Sequence, residues 1–116
     1  MRRTQRSPAP NLLDLAPTRA VTEERTPEGR AVLLRPKFHR GPLARFLQPR
    51  LRRPYYRIHL DDIGTFVWDH IDGETTVGAI ADSVRVQFGD RIEPVYDRLQ
   101  LFLQQLEQGR LIRIPR

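Results

Sequence analysis

The sequence contains no cysteine, and that absence excludes disulfide bonds, thiolate zinc sites, iron–sulfur clusters and a thiol nucleophile. No stretch supplies the ~18 consecutive apolar residues that a membrane helix needs, and the first residues have no apolar segment long enough for a signal peptide. Glycine-rich phosphate loops, nucleophile elbows and paired-histidine metal motifs are also missing. We therefore expect a soluble cytoplasmic protein that is not an enzyme, binds no cofactor or metal and does not contact a membrane.

The length of 116 residues fits one compact domain with tails. Residues 1–17 combine arginine, serine and proline with few apolar side chains, which predicts a disordered tail ahead of one folded domain at 18–116. Residues 1–57 contain 14 lysines and arginines against 4 aspartates and glutamates, whereas residues 58–116 contain 6 against 10. A basic first half therefore precedes an acidic second half.

Three strands are predicted before any long helix. Two short runs, about Arg19 to Arg25 and Arg30 to Arg35, flank a Pro/Gly turn and indicate an antiparallel hairpin. The run YYRIHL, Tyr55 to Leu60, is aromatic and β-branched with alternation, and it predicts a third strand in which Tyr56, Ile58 and Leu60 share one face.

Three helices follow the strands. Each is indicated by a polar cap or first-turn proline, by apolar residues at helical spacing, and by a glycine at its end. The bounds that these signals give are Asp61 to the Asp72-Gly73 turn, Thr75 or Thr76 to Gly89, and Pro94 to Gly109. Residues 110–114 are predicted to form a short terminal strand. The sequence thus predicts an α+β fold, a three-stranded antiparallel sheet followed by a winged-helix-like three-helix bundle.

A winged-helix order suggests DNA binding through the third helix. That helix and its approach, however, offer only Arg91 and Arg98 against four acidic residues, and phosphate contacts supply most non-specific DNA affinity. The charge pattern therefore argues against nucleic acid as the partner.

Another pattern indicates a binding groove. The third strand, which follows a long insertion, is predicted to be an exposed edge with backbone groups available to an added strand. Leu101 lies outside the main apolar stripe of the third helix, on the face shared with Asp97, Arg98 and Gln105. A strand and a helix would therefore wall one groove. The aromatic side chains of Tyr56 and Trp68 are expected to pack in the core or at its rim.

The insertion at about residues 37–53 is rich in arginine and has no acidic residue. It is either a solvated loop without a specific ligand or a basic surface that attracts an acidic peptide or partner protein. The residues assigned to this partner-steering role are Arg45, Arg50, Arg52 and Arg53.

The run LDDIGTFVWDHIDGETTVGAIADSV, residues 60–84, together with VYDRLQLFLQQLEQGRLI, residues 95–112, resembles the PqqD-like family of pyrroloquinoline quinone biosynthesis and related peptide-modification systems. Trp68 and the Asp72-Gly73 turn followed by Thr76 are the most specific positions. The resemblance covers residues 58–114, about half of the chain. The N-terminal tail and the basic insertion exceed a minimal domain of this family, and the insertion either extends the groove or covers it.

The resemblance implies a domain that does no chemistry and holds the leader of a ribosomally made precursor peptide for a modifying enzyme, often of the radical SAM type. In that family the leader is an added strand against the third strand, with the third helix as the other wall. The peptide-binding residues expected on this basis are Tyr55, Tyr56, Arg57, Ile58, His59, Asp97, Arg98, Leu101 and Gln105.

Two alternatives belong to other classes. One is a winged-helix nucleic-acid binder that uses the basic insertion, for which strongly salt-dependent binding to any duplex would speak. The other is a structural subunit of a larger enzyme, for which a stable stoichiometric complex without any peptide would speak.

Overall fold

A computed structural model describes the protein over residues 11–37 and 55–116. Its strands and α-helices, in chain order, are β1 (Thr18–Arg19), β2 (Thr22–Arg25), β3 (Ala31–Pro36), β4 (Tyr55–His59), α1 (Asp62–Asp69), α2 (Val77–Phe88), α3 (Val95–Gln108) and β5 (Ile112–Arg113). Two 3-10 helices lie at Leu12–Asp14 and Gly89–Ile92. The basic-loop residues Arg45, Arg50, Arg52 and Arg53 lie outside the described residues.

The main sheet contains three antiparallel strands in the order β2-β3-β4. Strand β2 pairs with β3 from Thr22 opposite Leu34 to Arg25 opposite Ala31, and β3 pairs with β4 in a register that places Leu33 opposite Ile58. Gly29, at a φ of 88°, supplies the left-handed residue of the β2–β3 turn. The predicted hairpin and third strand are confirmed, and three helices follow them in an α+β fold.

The helices begin at the predicted caps. The Asp61 carboxylate accepts the Gly64 N–H at 2.7 Å ahead of α1, and the Thr76 hydroxyl accepts the Ala79 N–H at 3.2 Å ahead of α2. Gly89, at a φ of 59°, follows the last residue of α2. Among the described residues, none of the helices has both the length and the apolar character needed to span a bilayer.

One apolar core lies between the sheet and the three helices. Its fully buried side chains include Leu33 from β3, Trp68 from α1, Ile80 from α2 and Leu103 from α3. Burying a side chain of this size contributes about 1.5–3 kcal/mol. Thr65 ties α1 to the sheet because its hydroxyl accepts the Ala31 N–H at 3.0 Å.

Residues 11–17, which sequence reasoning assigned to a disordered tail, form part of the packed structure. Leu12, Leu13 and Leu15 pack against the core, and Pro17 is fully buried. The Leu15 carbonyl accepts the Val77 N–H at 2.9 Å, and the Pro17 carbonyl accepts the Gly73 N–H at 2.9 Å. The segment is ordered here because it supplies acceptors that the start of α2 and the preceding turn lack.

A second, two-stranded sheet joins the two ends of the described chain. Strand β1 pairs antiparallel with β5, with Thr18 opposite Arg113. The predicted hairpin began at Arg19, but Thr18–Arg19 belong to this smaller sheet rather than to β2. The predicted terminal strand is present, and its partner comes from the other end of the chain.

Candidate functional site

The candidate site begins at strand β4, which is an edge of the main sheet. Leu60 donates its N–H to the Ala31 carbonyl at 3.0 Å. Every second pair along the β3–β4 ladder is hydrogen-bonded, so Ile58 and Tyr56 also direct their backbone groups toward β3. Bonded and non-bonded pairs alternate in an antiparallel ladder, so the backbone groups of Tyr55, Arg57 and His59 point away from β3. No strand within residues 11–37 and 55–116 pairs with that outer edge.

A surface cavity of about 440 Å³ opens beside the end of β4. Its walls come from the β4–α1 junction, from the interior of α1 and from the first half of α3. The lining side chains are mostly apolar, with polar groups at the rim: His59, Leu60, Asp61, Ile63, Gly64, Val67, Val84, Ile92, Arg98, Leu99 and Phe102. The volume suits one bulky apolar side chain of a ligand, with polar partners at the mouth.

Helix α3 forms the wall opposite the strand. Two of the predicted residues, His59 and Arg98, line the cavity together. The Leu101 side chain is 57% exposed, as its position outside the apolar stripe predicted. Asp97 and Gln105 are also exposed on this helix. The Arg98 guanidinium is held at the rim because it donates to the Arg91 carbonyl at 2.6 Å.

Nine of the eleven residues that line the cavity were not predicted as site residues. Phe102 lies on the third helix, is only partly buried and lines the cavity. The Phe102 ring lies close to the backbone of α1 because residue 64 is glycine. A Cβ at residue 64 would lie 3.4 Å from the Phe102 ring and 3.1 Å from the Asp61 carboxylate. The other eight are Leu60, Asp61, Ile63, Gly64, Val67, Val84, Ile92 and Leu99. Only the helical phase shared by Arg98 and Phe102 could have indicated one of them.

The two tyrosines of β4 are exposed, Tyr55 to 42% and Tyr56 to 52%. The expectation that Tyr56 packs in the core or at its rim is wrong, whereas the expectation for Trp68, which is fully buried, is confirmed. The reason is position: α1 meets the sheet at Ala31, opposite the other end of β4. Tyr56 therefore lies on a part of the sheet that remains open to solvent.

Two ion pairs lie beside β4 and the start of α1. Arg57 contacts Glu24 of β2 at 2.6 Å, with both side chains about half exposed. Arg91 contacts Asp62 at 3.3 Å. Partial burial raises the pKa of Asp62, but hydrogen bonds from Arg91 and the Ile63 N–H outweigh it, so the pKa lies below its ordinary value. Among the described residues, no group of three potential metal ligands lies together.

A match to a known protein family covers the part of the chain that contains the edge strand and the cavity. The family model for coenzyme PQQ synthesis protein D (PqqD) matches residues 54–112, just over half of the chain. The chain belongs to the PqqD family. The PqqD match spans β4, α1, α2 and α3, which together carry the edge and the cavity.

Membership of the PqqD family confirms the family predicted from the sequence and links the chain to the synthesis of coenzyme PQQ, for which the family is named. No curated protein and no solved structure gives a significant match.

Proposed function

We propose that the protein is a non-catalytic adaptor that binds the leader of a ribosomally synthesised precursor peptide as an added strand on β4. The observation that carries this proposal is the outer edge of β4, which is unpaired within the described residues and lies beside the apolar cavity. Membership of the PqqD family supports it, because the family belongs to a biosynthetic system.

The edge of β4 would bind the peptide backbone, and the cavity would bind one of the peptide side chains. Tyr55, Arg57 and His59 offer outward N–H and C=O groups that pair with any extended main chain. The cavity would select the side chain, since Ile63, Leu99 and Phe102 exclude water from whatever enters it. Affinity would therefore come mainly from the peptide backbone, and discrimination from one or two side chains.

The bound leader would be presented to a modifying enzyme, which we expect to be of the radical SAM type. The exposed polar face of α3, including Asp97 and Gln105, would remain available beside the peptide. The basic-loop residues Arg45, Arg50, Arg52 and Arg53 are proposed to steer this partner or an acidic leader toward the groove, an effect that weakens with added salt.

The test is a fluorescence-anisotropy titration with the labelled leader of a precursor encoded beside this protein. Arg57→Pro removes one outward N–H without touching the bonds to β3, and Arg57→Ala is its control because it keeps that N–H. Leu101→Glu places a charge on the exposed face of α3 that the proposed groove includes, and Val86→Glu is its control because Val86 is 89% exposed on α2. We expect Arg57→Pro and Leu101→Glu each to weaken binding at least about tenfold.

Circular dichroism establishes that each variant is folded before its affinity is compared. Equal affinity for the wild type and both groove variants would show that the peptide binds elsewhere. Failure to bind any leader, combined with salt-sensitive binding to an arbitrary duplex, would contradict the adaptor function itself.

A further inference from the structure

A cluster of two cations around an exposed aromatic ring lies at the start of β4, away from the cavity. The Arg35 guanidinium carbon lies 5.9 Å from the centroid of the Tyr56 ring, and the Lys37 Nζ lies 5.4 Å from it. Arg35 and Tyr56 are directly opposite each other in the β3–β4 ladder, on the same face of the sheet. Both long side chains therefore reach toward the edge strand.

This cluster carries positive charge that the described residues leave uncompensated. Within residues 11–37 and 55–116, no carboxylate lies within ion-pair distance of Arg35 or Lys37, whereas the other arginines of the main sheet, Arg25 and Arg57, have acidic partners. The Arg35 Nε is also buried, and it has no hydrogen-bond acceptor among the described residues. Buried donors are normally paired, and a carboxylate is the group that fits between two partly exposed cations.

The cation cluster and the cavity lie along one face of one strand. Side chains of a strand alternate, so Tyr56 and Leu60 point to the same side, and Leu60 is a wall of the cavity. Four residues of strand span about 13 Å at about 3.3 Å each. A strand added to β4 has the same rise and the same alternation. Its residues beside Tyr56 and beside Leu60 are therefore also four positions apart.

We propose that the groove selects an extended peptide that carries an acidic side chain and a bulky apolar side chain four residues apart. The acidic group pairs with Arg35 and Lys37 over the Tyr56 ring, and the apolar group enters the cavity beside Phe102. A spacing of three places the second side chain on the opposite face, and a spacing of two spans only about 7 Å. This inference rests on the proposed strand addition and specifies the peptide that it accepts.

The experiment titrates the full-length protein with fluorescein-labelled synthetic peptides of eleven residues in a threonine and serine background. Two peptides carry glutamate and leucine four positions apart, one in each order, and matched peptides carry the same residues three positions apart. Further controls replace glutamate with glutamine or leucine with alanine. We expect one order of the four-residue spacing to bind at least about tenfold more tightly than every control peptide.

The protein side of the test uses the double variant Arg35→Gln/Lys37→Gln. It should lose the preference for glutamate over glutamine while keeping the preference for leucine over alanine. The matched control Arg110→Gln/Arg113→Gln removes the same charge near β5 and should leave both preferences unchanged.

Equal binding of the three- and four-residue spacings, or no binding of any peptide, overturns the selection rule. Retention of the glutamate preference in the double variant also overturns it. The adaptor function is judged separately by the titration with the encoded leader, so a leader that binds while the synthetic set shows no spacing preference contradicts only this inference.

Discussion

The Glu23 carboxylate of β2 contacts residues of β1, β2 and α1. Its Oε1 accepts the indole N–H of Trp68 at 3.0 Å, and its Oε2 lies 2.8 Å from Arg25, which also contacts Asp69 at the end of α1. Arg19 lies 5.0 Å from the centroid of the Trp68 ring and donates to the Trp68 carbonyl at 3.0 Å. This group ties β1 and β2 to the C-terminal end of α1.

The pKa of Glu23 lies below its ordinary value. Burial alone would raise it, but the hydrogen bonds from Trp68 and Arg25 and the charges of Arg19 and Arg25 outweigh burial. The ionised form is therefore the one that stabilises the folded protein.

Glu23→Gln keeps an acceptor for Trp68 but removes the attraction to the two arginines. We expect it to lower the free energy of unfolding by about 1 kcal/mol at neutral pH, measured by urea denaturation. Glu24→Gln is the matched control, because the Glu24–Arg57 pair is exposed and its loss should cost less than about 0.5 kcal/mol. Equal effects of the two changes would contradict a special role for Glu23.

Asp72 predicts a dependence of stability on pH. Its carboxylate accepts the Thr75 N–H at 2.7 Å, the Glu74 N–H at 2.9 Å and the Thr75 hydroxyl at 2.9 Å, and these bonds lower its pKa to about 2. A lowered folded-state pKa stabilises the protein above the unfolded-state value of about 3.9, and that contribution disappears as the pH falls toward 2.

Urea midpoints measured in steps between about pH 6 and pH 2 test this dependence. The wild-type midpoint should fall across the lower part of that range, and Asp72→Asn should reduce the size of the fall. Asp82→Asn, which removes a charge from the exposed face of α2, is the control. An undiminished fall in Asp72→Asn would show that the α1–α2 turn does not depend on the ionised carboxylate.

The start of helix α2 is built on residues far away in the sequence. Its first N–H, that of Val77, bonds to the Leu15 carbonyl, and the next residue is a glycine that lets the Leu13 backbone approach. A Cβ at residue 78 would lie 3.2 Å from the Leu13 carbonyl oxygen. At residue 78 the backbone of the N-terminal 3-10 helix therefore lies against α2 with no α2 side chain between them.

Gly78→Ala tests this packing. In an exposed helix interior the change stabilises by about 1 kcal/mol, but here the new methyl group must displace the Leu13 backbone. We expect the gain in unfolding free energy to be smaller than that or absent, and residues 11–17 to become more susceptible to limited proteolysis. Ser83→Ala in the same helix should leave proteolysis unchanged. A full gain with unchanged proteolysis in Gly78→Ala would show that the segment does not contact residue 78 closely.

Elements with local signals were predictable. Caps at Asp61 and Thr76, apolar periodicity in the three helices, the Pro/Gly turn before β3 and alternation in β4 are properties of neighbouring residues, and the structure has these elements close to their predicted bounds. Local patterns also placed Leu101 at the surface. The edge position of β4 was inferred from the insertion before it, and it agrees with the order of the described strands.

Features that depend on distant residues were not predictable in the same way. Strand β1 is two residues long and is a strand only because it pairs with β5, about ninety positions later in the sequence. Residues 11–17 were assigned to a tail on composition alone. Composition does not reveal that their backbone carbonyls accept hydrogen bonds from α2 and from the turn before it. The cavity escaped detection for the same reason, since Gly64, Ile92 and Phe102 meet only after α1 and α3 have packed.

At the scale of the whole molecule, the first described residues pack against the helices and pair with the C-terminal strand. Residues 11–17 pack on α2 and α3, and β1 pairs with β5 directly after α3. The Ala20 N–H bonds to the Leu111 carbonyl at 2.9 Å next to that pairing. The beginning and the end of the described chain thus support the three-helix body from one side, while β4 and the cavity lie on another.

A chain that begins at residue 18 tests how much this closure contributes. It loses three partly buried leucines and the acceptor for the first N–H of α2, so we expect the free energy of unfolding to fall by about 3 kcal/mol. Urea denaturation gives the value, and Leu12→Ser/Leu15→Ser in the full-length protein should reproduce a large part of it. An unchanged midpoint for the shortened chain would show that residues 11–17 contribute nothing to stability, as expected for the disordered tail that composition predicted.

The open edge of β4 has a consequence for the lifetime of the protein in a cell. A guest strand that completes the sheet binds the folded state alone, so it lowers the fraction of molecules that unfold at any moment. Proteases act on that fraction. Under the proposed function, the amount of adaptor would then follow the supply of its precursor: copies without cargo would be degraded sooner than loaded ones, with no separate regulator required.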